Sequence, residues 1–206
     1  MRCARPWSRT WPVELIHGDN GNLILLRHLT PVDASDRKHL LEFAKSHGLS
    51  IWLAGNEGQL VPLEAGSILP EYQVAGETLQ FSPANFIQVN GEINQHMVAQ
   101  ALAWLDLSPE DRVLDLFCGM GNFTLPIARL TKMAVGVEGV ENLVTQARNN
   151  AQRNSIENAA FYNENLEEQI HTQPWAQEGF NKVLLDPARA GAAGVMEHLI
   201  KLMPEK

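Results

Sequence analysis

Beyond residue 111 the chain alternates between short apolar runs and stretches of helical periodicity, and this alternation limits the possible folds more than any other feature of the sequence. Arg112-Val-Leu-Asp-Leu-Phe117 reads as a buried strand, Cys118-Gly-Met-Gly-Asn122 as a glycine loop, and a helix follows through Arg129. Ala134–Val137 reads as the next strand, closed by Glu138-Gly139. Glu141–Arg153 follows as a helix with Leu143, Val144 and Ala147 on one face. Ala159–Tyr162 is a short strand and Phe180–Leu185 a stronger one ending in Asp186-Pro187, and Val195–Met203 closes the series as a helix. Ahead of them Asn94–Leu107 carries Met97, Val98, Ala101, Leu102 and Leu105 at helical spacing. Parallel neighbouring strands need a crossover of a dozen or so residues, usually a helix, so this order predicts βαβ units and a doubly wound parallel sheet.

The earlier residues read differently. Val13–Ile16 and Leu23–Leu26 flank a polar stretch containing Asn20-Gly21, which is hairpin punctuation. Asp33–His47 has Leu40, Leu41 and Ala44 at helical spacing, with Gly48 as a stop. Ile51–Leu53 with Gln59–Leu63, and Tyr72–Val74 with Thr78–Phe81, predict two further hairpins. Residues 1–90 are therefore expected to form a small strand-rich α+β subdomain. Residues 91–206 are expected to form an α/β domain of the Rossmann-like kind.

Composition narrows the setting. The hydrophobic fraction of 45% and charged fraction of 19% are ordinary globular usage and argue against disorder. No apolar run approaches the ~18 residues of a membrane span, and no apolar stretch follows the basic first ten residues as it would in a secretory signal. Two cysteines, Cys3 and Cys118, exclude a disulfide framework within these residues and point to a reducing, cytoplasmic compartment. The seven histidines are scattered without ligand spacing, so no metal site is expected. A net charge of −8 offers no global attraction for nucleic acid but leaves room for a local basic patch.

The chemistry concentrates after the first two strands of the α/β region. Gly119 and Gly121 let backbone approach a ligand closely. Glu138, at the end of the next strand, is placed to accept both hydroxyls of a ribose. A dinucleotide and S-adenosyl-L-methionine both fit that pairing. The dinucleotide fingerprint wants a third glycine where this chain has Thr124, which disfavours a nicotinamide-dependent oxidoreductase. Asp115, on the strand before the loop, would lie near a methionine amine. Asp186 follows the fourth strand, at the carboxyl edge where ligands bind in open α/β sheets. It could accept from a base edge, and Arg189 could meet a phosphate.

Five stretches together resemble the RNA 5-methyluridine methyltransferases, class I S-adenosylmethionine-dependent enzymes, and among them the branch acting on uracil C5 of 23S rRNA. These are Phe81-Ser-Pro-Ala-Asn-Phe-Ile-Gln-Val-Asn90, Val113-Leu-Asp-Leu-Phe-Cys-Gly-Met-Gly-Asn-Phe-Thr-Leu-Pro126, Gly136-Val-Glu-Gly139, Glu164-Asn-Leu-Glu-Glu168 and Val183-Leu-Leu-Asp-Pro-Ala-Arg-Ala-Gly-Ala-Ala-Gly-Val195. The resemblance runs from about Glu14 to the end. It implies cofactor contacts from Gln88, Phe117, Asn122, Glu138, Asn165 and Asp186, and large-subunit ribosomal RNA as partner. Position alone leaves Phe117 equally suited to core packing. Methyltransferases acting on exocyclic amines usually show Asn/Asp-Pro-Pro-aromatic where this chain has Asp186-Pro-Ala-Arg189, which points away from amine methylation.

The resemblance also implies a cysteine that adds to C6 of uracil, so that C5 can take the methyl group. It places that cysteine, in a Ser-Cys-Asn-Pro motif, and the glutamate base of the family beyond Lys206, so no catalytic residue is expected within these 206 residues. The family's iron–sulfur cysteines have no counterpart either. Cys118 sits in the glycine loop and is expected to be a packing residue. The expectation is thus a fragment truncated at both ends, its methyltransferase sheet incomplete on the C-terminal side, cofactor-binding but silent in catalysis by itself. The alternative is a non-catalytic module that binds S-adenosylmethionine and RNA.

Overall fold

The structure, a computed structural model of the chain, describes residues 12–55, 59–166, 168, 170–187 and 191–202. Two compact units divide it. One is built from the residues up to Glu71 together with Ser82–Phe86, the other from Tyr72–Phe81 together with the residues from Ile87 on.

The first unit contains β1 (Val13–Gly18), β2 (Gly21–Arg27), α1 (Ala34–His47), β3 (Leu49–Ala54) and β4 (Leu60–Pro62). The strands form one sheet in the order β1-β2-β3-β4. Both hairpins expected here are present, β1 antiparallel to β2 and β3 antiparallel to β4. What the sequence left unjoined is joined by a parallel β2–β3 pairing, with α1 as the crossover. Asp33 starts α1 by accepting the Asp36 N–H at 2.8 Å, and Gly48 ends it in the left-handed region at φ 62. Side chains alternate across a strand, so Ile24, Leu26, Ile51 and Leu53 pack with Ala44 of α1, while Leu23, Leu25, Trp52 and Ala54 form a second cluster. A sheet apolar on both faces accounts for the unbroken run Leu23–Leu26.

The second unit holds a hairpin, β5 (Glu71–Val74) and β6 (Glu77–Gln80), then α2 (Gly91–Leu105), β7 (Arg112–Leu116), α3 (Thr124–Ala128), β8 (Met133–Glu138), α4 (Glu141–Arg153), β9 (Ala159–Asn163), two 3-10 turns (Ile170–Thr172 and Pro174–Glu178), β10 (Lys182–Leu185) and α5 (Ala193–Leu202). The expected parallel sheet is present, in the order β10-β7-β8-β9. Three boundaries differ from expectation. Helix α2 begins at Gly91 because the Asn90 carboxamide accepts the Ile93 N–H at 3.0 Å. Helix α3 is a short turn ending before Arg129. The connection from β9 to β10 is made by 3-10 turns, where Pro174 opens the second and Gly179 closes it. No helix among the described residues is long and apolar enough to cross a membrane.

The β5–β6 hairpin turns through Ala75 and Gly76, both left-handed, and its β6 strand is completed by a helix. Asn154 of the α4 cap accepts the Thr78 N–H at 2.9 Å and donates to the Thr78 carbonyl at 2.8 Å. Asn150, one turn earlier, does the same with Gln80, at 2.9 and 3.1 Å. Residues two apart on a strand meet residues four apart on a helix, and two carboxamides replace a neighbouring strand. Arg129 adds a two-pronged bond to the buried carboxylate of Glu77, at 2.7 and 3.0 Å.

The sheet core is Leu114, Leu116, Val135 and Val137 against Leu166, Ile170, Trp175, Phe180, Val195 and Leu199. Gly136 is required at the centre of β8: a methyl group there would lie 2.8 Å from both the Cys118 Sγ and the Phe161 ring. At the amino edge, Asp111 accepts from the Lys182 ammonium and the Ser108 N–H, each at 2.6 Å, and from the Asn181 amide at 2.5 Å. Lys182 also donates to the Asp106 carbonyl. These bonds tie the start of β10 to the start of β7.

Two stability changes follow. Gly136→Ala should overpack the sheet and cost about 1–3 kcal/mol, read as a lower urea midpoint at unchanged slope. Asp111→Ala should cost more, about 3–5 kcal/mol, because it leaves the Lys182 ammonium buried without its counterion. Burial pushes the Asp111 carboxyl up, but the bonds from Lys182, Ser108 and Asn181 outweigh it and hold the group at about 2. A depressed carboxylate stabilises the fold above its unfolded value near ~3.9 and loses that contribution as pH falls towards the folded value. Stability should therefore decline between about pH 4 and pH 2, and Asp111→Asn should flatten that part of the profile.

Candidate cofactor site at the carboxyl edge of the sheet

From β7 the chain moves outward to β8 and β9, then returns to the other side of β7 as β10. The strand order reverses beside β7, and in doubly wound sheets the crevice at such a reversal is the ligand site. The segments leaving the four strands carry Phe117, Gly119, Gly121 and Asn122 after β7, Glu138 at the end of β8, Asn165 after β9 and Asp186 after β10.

The loop after β7 is held residue by residue. Phe117 takes a left-handed conformation at φ 65, a strained choice for a side chain of its size. That turn lets the N–H groups of Phe117 and Cys118 share the Val137 carbonyl, at 2.9 and 3.2 Å. Gly119 and Gly121 are left-handed too, at φ 56 and 97, where glycine carries no penalty. The Phe117 ring is half-buried against the sheet core. Glu138 accepts the Gly119 N–H on Oε2 and the Val140 N–H on Oε1, both at 3.1 Å. It clips the loop to β8 and holds the turn that leads into α4. A carboxylate oxygen accepts two bonds, so each oxygen keeps one acceptor position for a hydroxyl.

Asn122 is turned into the protein. Its carboxamide pairs reciprocally with that of Asn94 on α2, at 2.9 and 3.0 Å, and accepts the Tyr72 hydroxyl at 3.0 Å. A ligand meeting this residue meets its backbone or its one remaining amide hydrogen. Asn94 is buried in the otherwise apolar face of α2, and that misfit polar residue was the one sequence signal of the pairing. Nothing in the sequence pointed to Tyr72. Asn165 is exposed and donates to Glu168 at 3.0 Å. Gln88 is exposed on the strand-to-helix strap ahead of α2, with no hydrogen bond to the loop. Several positions of the sequence analysis lie outside the described residues, among them Cys3, Ala188, Arg189, expected to meet a phosphate, and Lys206, beyond which the resemblance places the nucleophilic cysteine and the glutamate base.

Asp115 lies under the loop rather than on its surface. It is 1% exposed; one carboxyl oxygen accepts the Thr124 hydroxyl and the other has no partner. Burial raises its pKa to about 7; the carboxylates of Asp186 and Glu138 push the same way, while Thr124 opposes them. Burial also raises Asp186, although the residue is exposed at the rim. Among the described residues none of the three carboxylates has a lysine or arginine partner. Cys118 is buried beside them, and burial, Asp115 and Glu138 together push its thiol well above the ordinary value. It fills space between β7 and β8, and a neutral buried thiol is a poor nucleophile. No cluster of three metal-ligating side chains occurs among the described residues.

The chain was compared with known families, sequences and structures. A family model described as tRNA (Uracil-5-)-methyltransferase matches residues 19–205. A relative from Erwinia tasmaniensis, named 23S rRNA (uracil(1939)-C(5))-methyltransferase RlmD, is 57% identical over 94% of this chain and 44% of its own length. A protein of the same name from Photorhabdus laumondii is 57% identical over 97% of this chain and 45% of its own length. The chain thus spans less than half the length of these curated relatives. Among solved structures, the Pyrococcus abyssi tRNA (uracil-54, C5)-methyltransferase in complex with S-adenosyl-L-homocysteine superposes with a TM-score of 0.72, covering 94% of this chain and 47% of that one at 20% identity. That likeness is one of fold. The family match over residues 19–205 and relatives more than half identical lead to one conclusion: the chain belongs to the tRNA (Uracil-5-)-methyltransferase family.

Proposed function

We infer that the chain is the S-adenosyl-L-methionine-binding part of an RNA uracil-C5 methyltransferase, with 23S rRNA as substrate. The observation that carries this is the charge of the crevice: Asp115, raised by burial and then by Asp186 and Glu138, lies under a glycine loop with one buried carboxyl oxygen unpaired. Such a site fits a cofactor bearing a sulfonium and an ammonium. It opposes a dinucleotide, whose pyrophosphate would add negative charge to three carboxylates. The names of the relatives supply the target base and the RNA.

When bound, the cofactor supplies an electrophilic methyl group. In this reading Glu138 takes ribose hydroxyls on its remaining acceptor positions, and Asp115 and Asp186 provide the negative field for the cationic methionine end. Asn165 reads the adenine edge, Gln88 and Asn122 add amide contacts, and the Phe117 ring packs against the ligand. Asp186 also faces the uracil edge, and Arg189 meets an RNA phosphate. The thiol that adds to C6 is not Cys118, which is buried, protonated and part of the loop wall. That same observation favours the second reading for the 206 residues by themselves, a module that binds cofactor and RNA without transferring methyl.

Calorimetry with S-adenosyl-L-homocysteine tests the first reading. Glu138→Ala should weaken binding about tenfold to a hundredfold, as expected for a lost hydrogen bond to a charged group. Cys118→Ala should leave it nearly unchanged. Absence of binding by the wild type would overturn the proposal. Affinity should also rise from pH 6 to pH 8, because the ligand's ammonium group favours the ionised form of Asp115, whose pKa is about 7. Asp115→Asn should remove most of that rise. Transfer of labelled methyl to unmodified large-subunit rRNA by the 206 residues alone would exclude the second reading.

A further inference from the structure

Asn150 and Asn154 make matched pairs of bonds to β6, but they differ in one respect. The second amide hydrogen of Asn150 goes to the carbonyl of Met120, in the middle of the glycine loop, at 3.2 Å. The second of Asn154 goes back to the carbonyl of Asn150, at 2.7 Å, inside its own helix. Asn150 is fully buried, and its three bonds exhaust the hydrogens and use one acceptor position of its carboxamide. Met120 is buried as well, between two glycines that give the loop no conformational preference of their own.

We propose that Asn150 is a positioning residue for cofactor binding: the Gly121 N–H of the Met120–Gly121 peptide is held within the loop by the Cys118 carbonyl at 2.9 Å, and Asn150 holds the other end, the Met120 carbonyl, from outside it. Elsewhere in the loop the Phe117 and Cys118 N–H groups go to the Val137 carbonyl and the Gly119 N–H to Glu138, while the Asn122 side chain is pinned by Asn94. Without Asn150 the Met120 carbonyl has no partner described in the structure, and the cost of a buried unpaired carbonyl favours loop conformations in which that peptide has turned. Binding the cofactor then requires the loop to be ordered again at the moment of binding. Asn150 acts through the backbone and touches no ligand. The inference rests on the reading of this crevice as the cofactor site.

Asn154 is the control, because its loss removes the same two bonds to β6 and spares the loop. Asn150→Ala and Asn154→Ala are compared with wild type by S-adenosyl-L-homocysteine calorimetry, thermal melting and amide hydrogen exchange. Both variants should melt lower than wild type. Only Asn150→Ala should weaken binding, by about tenfold, the effect of one buried hydrogen bond, with Asn154→Ala within about twofold. Exchange at Gly119–Asn122 should accelerate in Asn150→Ala while β7 and β8 stay protected. Asn150→Asp keeps the acceptor for the Gln80 N–H but cannot donate to Met120, and should bind as weakly as Asn150→Ala. Equal loss of affinity in the Asn150→Ala and Asn154→Ala variants, or wild-type affinity in Asn150→Asp, would overturn the proposal. If wild type fails to bind, the cofactor reading falls, while loop exchange still decides whether Asn150 holds the loop.

Discussion

A loop leaving the middle of a buried parallel sheet must satisfy its peptide groups without a neighbouring strand, and residues 117–122 do this with one bond of their own, from the Gly121 N–H to the Cys118 carbonyl, and with borrowed partners. Val137 supplies a carbonyl, Glu138 a carboxylate and Asn150 a carboxamide, while the Asn94 carboxamide holds the Asn122 side chain. These come from β8, α2 and α4, so the loop has its shape only when those elements are packed. The β5–β6 hairpin joins the same arrangement: Tyr72 reaches Asn122, and β6 shares Asn150 with the loop. A hairpin of this size is marginal in water by itself; here a helix stands in for its missing strand.

The two edges of the parallel sheet treat carboxylates in opposite ways. At the amino edge Asp111 meets an ammonium and two N–H groups, and its pKa falls to about 2. At the carboxyl edge Asp115, within β7, is buried with one hydroxyl partner and two acidic neighbours, and its pKa rises to about 7. The first arrangement is self-sufficient and serves stability. The second is short of positive charge, and a site short of positive charge is one that a cationic ligand completes. Burial, reinforced by the same carboxylates, pushes the Cys118 thiol well above its ordinary value, so it is unsuited to covalent chemistry.

Much of the fold was legible in the residues. Asp33 and Gly48 bound α1, and β10, β7 and β8 follow apolar runs that any strand rule detects. The joining of the two early hairpins was not legible, because the parallel pairing of β2 with β3 depends on where α1 folds back and not on any residue within the strands. The 3-10 turns before β10 were missed for a related reason. Trp175 and Phe180 pack on the sheet from a segment too short and too interrupted to show a helical period. Of the site, Gly119, Gly121, Glu138 and Asp186 could be placed at strand ends from spacing alone. Tyr72, Asn94 and Asn150 could not, since their partners lie 50, 28 and 30 residues away in the chain.

The sequence by itself determined the order of strands and helices, the glycine loop and the carboxylates that end the strands, because periodicity and glycine placement are local properties. Only the tertiary structure decided which of those groups remain available. It turned Asn122 inward, buried Asp115 beneath the loop and sealed Cys118 between β7 and β8. The physical reason is that availability is set by competition: a polar group or thiol is free for a ligand only if no packed neighbour has claimed it. Those neighbours are brought up by β5, α2 and α4, at distances along the chain that no local pattern encodes.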